Sequence, residues 1–178
     1  MEVSSRRRFL SSLIVPCIVL IVVPVVILVL TGPTHGGWAK DPPLSTIVSV
    51  AGLLLVVVGL ILFVGTVRLF SHYGEGSIMP WDPTQRLIVL GVYRHVRNPM
   101  HSGVFLVLTG QGLLLRSTPL LVLVAAVVFL HLLYIPLSEE RGLERRFGDA
   151  YREYKRNVPR WNPRWTPWEP SPQERDGE

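Results

Sequence analysis

Four stretches of the chain are apolar and nearly free of charge, and short basic segments separate them. Phe9 to Leu30 carries no charge, and Leu44 to about Leu69 carries only Arg68, near its end. Pro99 to Leu115 and Pro119 to about Leu137 are shorter and also uncharged. The pattern predicts four helices that approach the ~20 residues needed to cross a bilayer, the last two near the lower limit. The expected fold is therefore an all-α integral membrane protein of about four transmembrane helices.

Local chemistry sets the ends of these elements. Asn98 suits a helix N-cap and Pro99 the first helical position, where no amide donor is needed. Arg116-Ser117-Thr118 is a tight turn, so the third and fourth spans form an antiparallel hairpin. The links at 31–43 and 71–98 hold glycines and prolines typical of ordered loops. Arg6, Arg7 and Arg8 precede the first span as they would a signal peptide. Its apolar run is too long for one, and no small-x-small site follows Leu30, so an uncleaved anchor is expected. Pro16 and Pro24 are candidate kinks, and Gly52, Gly59 and Gly65 are places where a neighbouring helix could come close.

Ser138 to Asn157 reads as a further helix of a different kind. Leu143, Phe147, Tyr151 and Tyr154 recur at spacings of 4, 4 and 3, which draws one apolar-aromatic stripe. Glu140 continues that stripe, whereas Glu139 is turned about 100° away. Both carboxylates fall in the first turn, where the helix dipole favours them. Asn157 and Pro159 end the element. Trp161, Trp165 and Trp168, interleaved with prolines, suit the membrane interface.

Charge then gives an orientation. The chain has 178 residues, 48% hydrophobic and 17% charged, with a net charge of +5. Of its 18 lysines and arginines, all but Lys40 and Arg116 fall in the N-terminal segment, the middle loop or the tail. That asymmetry places both termini in the cytoplasm, in an inner or plasma membrane, and explains the basic balance without nucleic acid. The single cysteine, Cys17, and five scattered histidines offer no disulfide and no metal-ligand set. The expected organisation is a two-helix anchor over 1–70, a core over 71–170 and a disordered tail over 171–178.

The hairpin returns two polar boxes to one side of the membrane. Arg94-His95-Val96-Arg97-Asn98-Pro99, with His101 and Gly103, precedes it. Glu139-Glu140, Leu143, Phe147-Gly148, Tyr151, Tyr154 and Val158-Pro159-Arg160 follow it. Cations, carboxylates and aromatic walls would meet there at a lipid surface. Such a set suits a polar cofactor used beside a greasy substrate.

The order R-H-x-R-N-P-x-x-x-G, apolar hairpin, E-E-x-x-L-x-x-x-F-G-x-x-Y-x-x-Y-x-x-x-V-P-R resembles the isoprenylcysteine carboxyl methyltransferases. It is similar also to the phospholipid methyltransferases of the membrane. The resemblance covers roughly residues 86 to 163. It implies methyl transfer from S-adenosylmethionine, without a Rossmann fold, to a lipophilic or amphipathic acceptor in the bilayer. The cofactor-binding positions it implies are Arg94, His95, Arg97, Asn98, Pro99, Gly103, Glu139, Glu140, Leu143 and Tyr151. Glu140 suits the ribose diol, Arg94 or Arg97 the cofactor's carboxylate, and Leu143 with Tyr151 the adenine. Arg160 and His101 are the candidates on the acceptor side. The pattern breaks at His101, where members commonly carry tyrosine.

Two other readings stand beside this one: an NADPH-dependent membrane reductase of sterol-reductase-like architecture, and a non-enzymatic small membrane protein. No charge lies in the middle of a span, which argues against an ion pathway.

Overall fold

The computed structural model describes residues 18–31, 38–73 and 87–170, and all regular structure in them is helical. The start of the first span, Pro16, Cys17, most of the middle loop with Trp81, and the segment 171–178 lie outside the described residues. A π-helical turn, Ile18–Val22, leads into α1 (Val23–Thr31), followed by α2 (Leu44–Tyr73), α3 (Pro99–Leu114) and α4 (Thr118–Tyr134). A second π-helical turn, Ile135–Glu139, leads into α5 (Glu140–Asn157). Two helical runs, Leu44–Tyr73 and Thr118–Asn157, are long and apolar enough to cross a membrane; Ile18–Thr31 is a shorter apolar helix. The 30 residues of α2 make a rod of about 45 Å, longer than the ~30 Å hydrocarbon core.

The described chain divides into two compact units. The first holds α1, α2 up to Val64, and the hairpin from Met100 to Leu132. Leu20, Val107, Leu108 and Val124 form its buried core, with Val19, Val104 and Val128 packed against them. Outward, Leu54, Ile61, Val122 and Phe129 are well exposed, as suits helices whose solvent is lipid. Helix α3 meets α2 through glycines. A Cβ on Gly103 would stand 2.9 Å from the Gly59 carbonyl oxygen, and one on Gly52 would stand 2.9 Å from the Gly110 oxygen. Gly52 and Gly59 thus permit the close approach expected of them, whereas Gly65 has nothing within 4 Å of its Cβ direction.

A hydrogen bond completes this unit. Pro24 has no amide with which to reach the Leu20 carbonyl four residues earlier. The Gln111 side chain, on α3, donates to that carbonyl through Nε2 at 2.9 Å. Membrane helices tolerate proline when a neighbour satisfies the freed group in this way. Arg116 adopts a positive φ in the hairpin turn and reaches Ser45 and Ser49 at the start of α2.

The second unit holds Gly65–Pro99 and the chain from Leu133 onward. Two features of its long helix differ from expectation. No break separates α4 from α5. Pro136 cannot donate an amide, and the chain absorbs this as a π turn in which the Glu140 amide bonds the Ile135 carbonyl. The break comes later, at Gly148, whose φ of 54° and ψ of −127° interrupt α5. Only glycine adopts that conformation readily.

Candidate functional site

Glu140 is the most heavily engaged side chain of the second unit. It is only 2% exposed, as its place on the stripe required. Its Oε1 accepts from Arg97 Nη1 at 2.9 Å and from Arg160 Nε at 2.8 Å. Its Oε2 accepts from Arg160 Nη2 at 3.0 Å and faces Lys155 Nζ at 3.4 Å. Lys155 in turn binds Glu144 at 2.6 Å. The carboxylate therefore ties Arg97 of the first box to Arg160 of the second. Three cations share it, which is how a buried charge is made tolerable.

The electrostatics follow from these contacts. Burial by itself would raise the Glu140 carboxyl. The hydrogen bonds from Arg160 and the charges of Arg97, Arg160 and Lys155 outweigh that and hold it below its ordinary value. Glu139 moves the other way, raised by burial and then by the neighbouring Glu140 charge. Burial, and next the Glu140 charge, push the Tyr151 phenol up to about 12, so it stays protonated. Arg97 is nearly buried, at 9% side-chain exposure, and its Nε has no hydrogen-bond partner among the described residues.

The stripe packs as a unit despite the Gly148 interruption. Tyr151, Tyr154 and Val158 form a buried cluster, with Leu87, Val89, Leu143, Phe147 and Trp168 around it. The Tyr154 hydroxyl donates to the Tyr93 carbonyl at 2.7 Å. Tyr93 closes a short 3-10 turn, Gly91–Arg94, and its ring meets Phe70 edge-on at 5.4 Å.

Beyond Val158 the chain runs back along the first box as a strap. The Arg97 amide donates to the Pro159 carbonyl, the Arg164 amide to the His95 carbonyl and the Trp168 amide to the Arg94 carbonyl, at 2.9, 3.0 and 3.0 Å. His95 Nδ1 lies 2.8 Å from the Arg164 carbonyl. A carbonyl only accepts, so that nitrogen carries the proton. Arg94 donates to the Trp168 carbonyl and pairs with Glu169.

The residues anticipated from sequence thus separate into groups. Arg97 and Arg160 both bond Glu140, with Tyr151 beside them. Leu143 belongs to the aromatic cluster. Arg94 and His95 hold the strap. Asn98 and Pro99 stand where α3 begins, and Pro99 is fully buried. His101 and Gly103 belong to α3. The His101 ring is 5.2 Å from that of His131, and Gly103 lies against α2. Sequence reasoning did not single out Lys155. Spacing does not signal it: 11 residues of continuous helix would hold Glu144 and Lys155 about 16 Å apart, and the contact forms across the interruption at Gly148.

The family model for phospholipid methyltransferases matches residues 47–150, more than half of the chain. The chain belongs to the phospholipid methyltransferase family. No curated protein and no solved structure matches it. The family match runs from α2 through the hairpin and into α5. It takes in the whole first box and both glutamates, and ends just before Tyr151. Membership makes the protein an enzyme, a methyltransferase, and implies S-adenosylmethionine as methyl source and a lipid-type acceptor. The reductase and non-enzymatic readings give way to it.

Proposed function

We propose that this phospholipid methyltransferase family member moves a methyl group from S-adenosylmethionine to a lipophilic or amphipathic acceptor at the cytoplasmic face of its membrane. In this reading α1 to α4 are four spans, both termini are cytoplasmic, and the second unit carries the cofactor. The ion network of Arg97, Glu140 and Arg160 supports it most directly, because it joins the two boxes that carry the resemblance.

The donor set fits the cofactor's groups. Arg97 offers a buried Nε–H that lacks an acceptor among the described residues, which a carboxylate would satisfy. Glu140 offers the ribose diol an acceptor where Lys155 now makes the longest of its four contacts, and Glu139 adds a second carboxylate. Tyr151 and Leu143 supply apolar surface for the adenine. Bound there, S-adenosylmethionine provides a methyl group activated by its sulfonium. Arg160 spends two of its five N–H donors on Glu140 and is 30% exposed. Its remaining donors suit an acceptor's phosphate or carboxylate. The resemblance alone assigns His101 to the acceptor. Rate enhancement in such a site comes mainly from positioning and exclusion of water.

Calorimetric titration of the purified protein with S-adenosylhomocysteine, with NADPH as control, tests the reading. Binding of the first and none of the second is expected. Glu140→Gln and Arg97→Ala should weaken it, and Glu174→Gln should not. No heat with S-adenosylhomocysteine for the wild-type protein would overturn the cofactor assignment. Transfer of radiolabelled methyl into fractions of a lipid extract then identifies the acceptor.

A further inference from the structure

The outer face of α5 is strongly basic and has no role in the site just described. Arg141 and Arg145 are exposed one turn apart before Gly148, and Arg152 and Arg156 are exposed one turn apart after it. Arg152 shares its charge with Asp149. The other three have no ion pair among the described residues. Arg146, also exposed, lies over the Phe147 ring at 5.9 Å. Helix α5 thus turns Glu140 and Glu144 to cations and leaves five exposed arginines outside, with Asp149 among them.

The approach to this face is apolar. Leu133, Tyr134 and Leu137 are 48%, 58% and 56% exposed, and Arg141 follows one turn later. The helical path therefore passes from lipid-compatible to cationic surface within a turn, as it would on leaving hydrocarbon for headgroups. The strap adds an anchor. Its main chain is pinned at Arg164 and Trp168, yet the Trp165 side chain between them is 99% exposed. An indole presented to solvent from a pinned main chain is poorly placed in water and well placed at a headgroup boundary.

We infer that the exposed arginines of α5, together with Trp165, form a docking surface for anionic phospholipid headgroups of the bilayer that carries the chain's apolar helices. Charge complementarity chooses the occupant, because exposed cations that follow an apolar helix end attract an acidic leaflet. The inference rests on the membrane placement of the helices and not on the cofactor assignment. Retention of the full chain in the pellet after alkaline carbonate extraction checks that premise separately.

Native mass spectrometry of the full-length protein, released from mixed phosphatidylcholine and phosphatidylglycerol micelles, reads the docking directly. The wild-type protein should retain phosphatidylglycerol preferentially, and the preference should fall with salt. Replacing Arg141, Arg145, Arg152 and Arg156 together by glutamine should abolish it, at about fivefold per arginine, while lysine at the same positions should restore it. An unchanged thermal midpoint for the glutamine variant excludes misfolding. Brominated phosphatidylglycerol should quench tryptophan emission less in Trp165→Phe. No wild-type preference, or a preference that survives in the glutamine variant, overturns the docking surface; equal quenching removes Trp165 from it.

Discussion

Arg160 grips Glu140 with both prongs of its guanidinium, Nε to Oε1 at 2.8 Å and Nη2 to Oε2 at 3.0 Å, although 20 residues separate them. Arg97 joins the same carboxylate from the other side of the hairpin. Glu140→Ala would leave Arg97 buried without a counter-charge. Its cost should fall near the lower end of the roughly 3–5 kcal/mol typical of a broken buried pair, since Arg160 and Lys155 are about a third exposed. Thermal unfolding of the full-length protein in detergent measures this, and Arg160→Lys should lie between wild type and alanine.

The same network predicts an acid limb. The Glu140 carboxyl lies below its ordinary 4.5 in the folded protein. Its stabilisation is therefore complete above that ordinary value and is lost as the pH falls through the lower folded-state value. Thermal midpoints taken from neutral pH downward should fall more steeply for the wild-type protein than for Glu140→Gln. Parallel curves would assign the acid sensitivity elsewhere.

At the glycine contacts, space is the issue. Gly103→Ala would press a methyl group onto the Gly59 carbonyl and the Phe63 amide. Backbone cannot swing aside as a side chain does, so a loss of about 1–3 kcal/mol is expected. Gly65→Ala meets nothing and should be neutral or slightly stabilising through helix propensity. Equal midpoints for the two variants would remove the packing argument.

Gln111 and Pro24 form a double-mutant test. Gln111→Leu strands the Leu20 carbonyl and should destabilise by about 0.6–2 kcal/mol. Pro24→Ala supplies an amide of its own to that carbonyl, so Gln111→Leu should cost much less in the Pro24→Ala background. Additive losses would show that the carbonyl does not couple the two residues.

Much of this was legible in the residues, because apolar runs and punctuation obey local rules. The start of α3 at Pro99, the turn at Arg116-Ser117 and the burial of Glu140 on the aromatic stripe all follow from spacing within one element. The misreadings also have local causes. The apolar run to Leu137 and the helix from Ser138 read as two elements, but a π turn carries one helical run through Pro136. Gly148 falls inside the helix expected over Ser138 to Asn157, yet its φ of 54° interrupts that helix. The engagement of Lys155 depends on the interruption at Gly148, and the part played by Gln111 on which helices become neighbours; periodicity along one helix contains neither.

The strap holds Arg94 and His95 largely through its own amides and carbonyls. A main-chain clasp does not depend on the side chain at 164, whereas the Trp168 ring also packs against Tyr154. Proline alone, lacking the hydrogen that each amide donates, would unfasten it at either position.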